Sequence, residues 1–226
     1  MSRRSTEQGV RIVTSNQEGI HESLEDELIK HRNSAFRKPI ADHTQKAFEA
    51  IANQITQHNV PIIFDSGCGT AHSTRHIANL YPDSLVIGID RSQVRLEKNH
   101  EEALPENALI AQADLVDFWR LAHQENWQLQ RNFILYPNPY PKSIHVKRRW
   151  HAHPVFPTLL SLGGILELRS NWKIYVDEFA VALQYSGYSH AKTQIYTPDV
   201  AWTLFEKKYH EDEQMLYQCK QDLCQS

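Results

Sequence analysis

The chain has 226 residues, with 24 Lys/Arg against 27 Asp/Glu and a net charge of -3. Hydrophobic residues make up 41% and charged residues 23%, the balance of an ordinary globular domain and not of a disordered chain. No apolar run approaches the roughly 18 residues of a membrane span. Met1 to Thr6 lead into no apolar signal segment, and three cysteines are too few for a disulfide framework, so a reducing cytoplasm is the expected compartment.

Residues 1–38 are polar and lack a clear period. Glu22, Glu25, Asp26 and Glu27 are followed by Lys30-His31-Arg32. This segment is expected to be an arm or flap, with one domain over 39–226. Asp42-x-x-Gln45 reads as a capping box, and Ala47, Phe48, Ile51, Ala52 and Ile55 share one helical face. Val60 to Phe64 is a short apolar run that predicts a buried strand. A turn at Gly67-Cys68-Gly69 and a helix through Ile77 and Leu80 follow. Leu85 to Ile89 predicts a second strand ending at Asp90, and Ser92 can cap a helix through Val94 and Leu96. Ala108 to Ala111 predicts a third strand ending near Asp114, before a helix through Phe118, Trp119 and Leu121. Phe133 to Tyr136 is the fourth strand.

Prolines 137, 139 and 141 then interrupt the pattern, and a helix is expected to start near Pro157. Gly163-Gly164 turns into the strand Ile165 to Leu168. Trp172, Val176, Phe179, Ala180 and Leu183 recur at helical spacing. From Ser189 onward come a strand, the segment Asp199 to Tyr209, and a last strand near Gln214 to Gln218. Strands alternating with helices predict an α/β fold with a doubly wound, mostly parallel sheet.

The chemistry concentrates at two places. Gly67 and Gly69 let the backbone turn sharply and approach a ligand. Asp90, 21 residues after Gly69, can accept from both hydroxyls of a ribose. A dinucleotide site wants a third small residue, and this chain has His72 there; no triphosphate-binding loop with its Gly-Lys-Ser/Thr end is present. Asp65 directly before the turn would repel a phosphate and suits a cationic ligand. S-adenosylmethionine has a ribose, an ammonium, a sulfonium and no phosphate, and is the expected cofactor.

The second place is Tyr136-Pro137-Asn138-Pro139-Tyr140-Pro141-Lys142, at the end of the fourth strand. Alternate prolines stiffen the loop, so Asn138 and the tyrosines are held at little entropic cost. An amide with stacking faces beside it suits a planar, hydrogen-bonding base. The following run, Lys142 to His151, holds four Lys/Arg and two His, with Trp150 among them, and reads as a contact to phosphates. His151-x-His153 has no third ligand, so no metal is expected.

At these residues the chain resembles the bacterial tRNA (guanine-N7)-methyltransferase family. That family carries an acid-x-Gly-x-Gly motif, a Phe-Pro-Asp-Pro-Trp-Pro-Lys loop with a basic tail, a Thr-Asp pair after a Gly-Gly strand, and a late Thr-x-Phe-Glu. Here the counterparts are Tyr136 to Lys142, His145 to Arg149, Ser170-Asn171, and Thr203-Leu204-Phe205-Glu206. The likeness covers about residues 32 to 218. It implies a class I methyltransferase fold, Rossmann-like, with seven strands, the last antiparallel, and tRNA as partner. It implies that Asp65, Gly67, Gly69, Asp90, the adjacent Arg91, and Asp114 line the cofactor site. Asn138 and Tyr140 would serve the reaction. Lys142, Asn171, Thr203 and Glu206 would face the substrate, and Lys147, Arg148 and Arg149 the tRNA backbone. Two positions depart from the family: Asn138 and Asn171 stand where it has aspartates. Both changes remove negative charge from the pocket. A methyltransferase for another acceptor, such as an amino group, and a binding homologue without catalysis are the alternatives.

Overall fold

A computed structural model describes residues 13–34, 36–55, 60–98 and 103–225. Seven strands form one sheet: β1 (Ile62–Ser66), β2 (Leu85–Asp90), β3 (Ala108–Gln112), β4 (Leu129–Leu135), β5 (Ile165–Ser170), β6 (Thr193–Tyr196) and β7 (Leu216–Asp222). Their spatial order is β3-β2-β1-β4-β5-β7-β6. β7 runs antiparallel to both β5 and β6, while the pairs among β1 to β5 are parallel. This is the class I methyltransferase topology. The last strand ends four residues beyond its expected end at Gln218, because Asp222 still pairs with Ile165.

Eight helices are described: α1 (Leu24–Arg32), α2 (Asp42–Ile55), α3 (His72–Leu80), α4 (Gln93–Glu97), α5 (Leu115–Gln124), α6 (Phe156–Ser161), α7 (Lys173–Tyr185) and α8 (Leu204–Glu211). α2 occupies its expected span by a different start. Asp42 is already helical, the Ala41 carbonyl accepts from Thr44 and Gln45, and the Ala41 N–H donates to buried Asp117 of α5. Gln45 reaches forward to Glu49, so the capping box does not form.

The two-residue period of the strands sorts the core. On β1, Ile62 and Phe64 pack with α2, α5, α6 and α7, whereas Ile63 packs with Ile77 and Ala78 of α3. Asp65 falls on the α3 side with Ile63. α3 lies so close to β2 that a Cβ on Gly88 would sit 2.5 Å from Thr74 Oγ1. Glycine at 88 is therefore a requirement of packing. Of the first 38 residues, α1 buries Leu24 against Val146 and Ala152.

Candidate active site

A cleft of about 240 Å³ opens at the carboxyl ends of β1, β2 and β4 and at the β3–α5 turn. β1 lies between β2 and β4, where the strand order reverses, which is the usual place for a ligand in an open α/β sheet. The floor is the turn after β1. Gly67 has φ +91° and Gly69 φ +59°, in the left-handed region that side chains other than glycine's rarely adopt. The N–H groups of Gly67 and Cys68 both donate to the Ile89 carbonyl, at 2.8 and 3.1 Å, and fasten the turn to β2.

Asp90 ends β2 with its carboxylate almost wholly buried. Oδ2 accepts from the Gly69 N–H at 3.0 Å; Oδ1 accepts from the Ser92 N–H at 2.8 Å and from Arg95 Nη2 at 2.9 Å. Asp114 lines the cleft and also caps α5, its Oδ1 accepting from the Val116 N–H at 3.0 Å. Gly67, Arg91, Asn138, Tyr140 and Arg148 share this cleft. Ser66, Arg95, Tyr136, Trp150 and Tyr175 line it as well. Arg95 was missed because its helix position carries no motif. Tyr175 was missed because the helical period of α7 assigned its neighbours to the core.

Asp65 is not in the cleft. Strand alternation turns it toward α3, where its Oδ2 accepts from Ser73 Oγ at 2.7 Å and Thr74 Oγ1 at 2.6 Å. Burial raises its pKa to about 6, against the opposing pull of those two hydroxyls. Its role is to hold the first turn of α3 under the glycine turn.

The proline loop forms the facing wall. Tyr136 (φ 51°) and Tyr140 (φ 45°) are left-handed and each precedes a proline, a position that normally prefers extended backbone. Such a conformation costs of order 1–3 kcal/mol per residue and persists only where surrounding contacts impose it. For Tyr136 those contacts are its N–H on the Arg169 carbonyl and its hydroxyl on Glu206. For Tyr140 they are two donors of Arg149 on its carbonyl, at 3.1 and 3.3 Å. Asn138 is exposed in the cleft, and its Oδ1 accepts from the Tyr140 N–H at 3.4 Å.

The basic run divides three ways. It forms two 3-10 turns, Ser143–Arg148 and Trp150–Ala152, so neighbouring residues point in different directions. Lys147 is exposed and pairs with Glu27 at 2.8 Å. Arg148 lies over the Tyr140 ring, 5.7 Å from its centroid. Arg149 is 0% exposed, pairs with Glu178 at 2.6 Å and covers the Trp172 ring. The expectation that Arg149 contacts a tRNA backbone is therefore corrected: a guanidinium sealed in the fold has no surface to offer a phosphate.

Four expected substrate residues also lie elsewhere. Thr203 caps α8, accepting from the Glu206 N–H at 2.9 Å. Glu206 is fully buried and accepts from Tyr136, Arg169 and the Trp202 N–H. It touches the cleft only through Tyr136. Asn171 donates to Gln214 at 3.0 Å. Lys142 is exposed on a shallow depression beside Thr14 to Asn16. A separate cavity of about 340 Å³ between α1, α6 and α7 holds none of the expected site residues. Among the described residues no cluster of three His, Cys, Asp or Glu can hold a metal, and no helix is long and apolar enough to cross a membrane.

Over 136 residues the chain is 27% identical to a tRNA (guanine-N(7)-)-methyltransferase of Ectopseudomonas mendocina (strain ymp), covering 55% of each. Over 129 residues it is 31% identical to a trans-aconitate 2-methyltransferase of Yersinia pestis (strain Pestoides F), covering 56% of this chain and 43% of that one. The chain thus spans about half the length of these curated relatives. Among solved structures, 16S rRNA methyltransferase KamB superposes with a TM-score of 0.56 at 15% identity, over 82% of this chain and 94% of its own, a likeness of fold alone. The family model Methyltransf_4, described as "Putative methyltransferase", matches residues 59–219, and the chain belongs to that family of methyltransferases.

Proposed function

We propose that this protein is an S-adenosylmethionine-dependent methyltransferase acting on a base of tRNA, of the guanine-N7 type. The observation that carries the reading is the meeting of Asp90 and Asn138 across one cleft, one from the glycine-turn side and one from the proline loop. The cleft fits the cofactor: Asp90 and Asp114 offer acceptors for a ribose and an adenine amine, and Ala113 and Leu115 offer an apolar wall between them. When bound, S-adenosylmethionine supplies an electrophilic methyl group on a sulfonium. Guanine N7 carries a lone pair and no proton, so the chain needs no general base. Its contribution is alignment of the acceptor for in-line displacement. Asn138 accepts from the Watson–Crick edge of the base, Tyr140 stacks, and Arg148 at the rim meets a phosphate. The product purine is cationic, and Asn138 opposes that charge with a dipole where a carboxylate would oppose it more strongly.

A second reading is favoured by that same neutral amide. Asn138 can accept from an exocyclic amine, which makes amino-group transfer the competing chemistry. Incubating the protein with unmodified tRNA and methyl-labelled cofactor, then digesting to nucleosides for mass spectrometry, tests both. Label in 7-methylguanosine supports the first reading, and label in an N-methylated amine supports the second. RNA binding without label would leave a binding homologue.

A further inference from the structure

Glu178 of α7 gathers three stretches of chain that are remote in sequence. Its Oε2 accepts from Arg149 Nη1 at 2.6 Å and from the His151 ring at 2.8 Å. Its Oε1 accepts from Gln17 Nε2 at 2.5 Å and from the His21 N–H at 2.9 Å. Arg149 also donates from Nε and Nη2 to the Tyr140 carbonyl and from Nη2 to Gln17 Oε1. The segment before α1 then makes two further bonds to the end of the proline loop: Ser15 Oγ donates to the Pro141 carbonyl at 2.6 Å, and the His21 ring meets Ser143 Oγ at 2.8 Å.

We infer that Arg149, Glu178 and Gln17 are positioning residues that latch the proline loop, and with it Asn138 and Tyr140, against the cofactor side of the cleft. None of the three lines the cleft. They act through the carbonyl of Tyr140, whose left-handed backbone before Pro141 does not hold itself. A planar fork is required, because one guanidinium must reach a carboxylate, an amide oxygen and a backbone carbonyl together; a lysine ammonium keeps the charge but not the fork. The segment from Ser15 to His21 thereby becomes part of the reaction's geometry without touching a reactant. The inference rests on the methyltransferase reading for its kinetic consequence only.

The test uses the full chain as Arg149→Lys and Gln17→Ala, with two readouts. Amide hydrogen exchange over residues 136–145 should accelerate in both variants, because the loop opens locally without global unfolding. The single-turnover rate on tRNA at saturating cofactor should fall roughly tenfold or more, as expected for a misplaced reactive group, with the calorimetric Kd for cofactor changed less than about threefold. If Arg149→Lys does not fold, Gln17→Ala, a neutral change in the segment before α1, decides alone. Folded variants whose loop exchange matches the wild type overturn the latch. Faster exchange in a protein whose wild type transfers no methyl group supports the latch and refutes the methyltransferase reading.

Discussion

The Tyr136 hydroxyl donates to Glu206 Oε1 at 3.0 Å, so the first residue of the proline loop is tied to a buried carboxylate in the first turn of α8. Burial and the neighbouring carboxylate push that hydroxyl far above its ordinary pKa, and it stays a donor at all working pH values. Tyr136→Phe should cost about 1.5–3 kcal/mol of unfolding free energy, the scale of a hydrogen bond to a charged group. Urea denaturation checks it. A loss under about 0.5 kcal/mol, the size of an ordinary surface change, would mean the bond does not hold the loop.

Asp90 holds the Gly69 amide, the Ser92 amide and Arg95 at once. Asp90→Asn keeps one acceptor and turns an amide NH2 toward donors that need an oxygen. Cofactor binding should weaken by about 1.5–3 kcal/mol, or roughly 10- to 150-fold in Kd. Calorimetric titration of the folded variant reads this directly, and an unchanged Kd would remove Asp90 from the cofactor site.

Arg148 and Arg149 are adjacent and should behave as opposites. Arg148→Ala should leave stability within about 0.5 kcal/mol of wild type, lower tRNA affinity, and reduce the salt slope by about one phosphate contact. Arg149→Ala strands the Glu178 carboxylate in the interior and should cost about 3–5 kcal/mol. Thermal melts and salt-dependent binding separate the two. Equal stability of both variants would contradict the burial of Arg149.

The Asp65 carboxyl is pushed up to about 6 by burial, from an ordinary 3.8. A raised folded pKa favours folding fully below the unfolded value and ceases to do so as pH rises through the folded one. The window therefore runs from about pH 3.8 to 6. A shift of about two units is worth about 3 kcal/mol. Stability of the wild type relative to Asp65→Asn should fall across that window and level off above it. Urea titrations of both proteins at a series of pH values test the sign. Parallel curves would show that Ser73 and Thr74 fully compensate the buried charge.

Much of the fold was legible because its signals are local. Each of the first five strands is a short apolar run bounded by turn residues, and the Asp90 and Asn138 positions follow from where those runs end. The errors came from information that is not local. Lys147, Arg148 and Arg149 look alike in a row. What seals Arg149 inside is Glu178, 29 residues on, together with Gln17, 132 residues back. Asp65 was readable in principle, since it alternates with Phe64 onto the face of Ile63, and Ser73-Thr74 supplies two hydroxyls at a helix start. Thr203-x-x-Glu206 likewise has the spacing of a helix cap, which is the role Thr203 plays. The extra bonds of Glu206 to Tyr136 and Arg169 depend on sheet order and have no trace in the local sequence.

The carboxylate that clasps Gln17 and the His21 amide stands 161 and 157 residues further along the chain. At ordinary synthesis rates of about 5–20 residues per second, the early segment waits roughly 8–31 s before its partner is made. The strands β1 to β4 and the glycine turn can assemble during that interval, yet the proline loop cannot be clamped until α7 has emerged. Completion of the cleft is therefore a late event in the life of each molecule, and a chain truncated before α7 would carry the glycine-turn floor and the proline loop without Glu178 to fix one against the other.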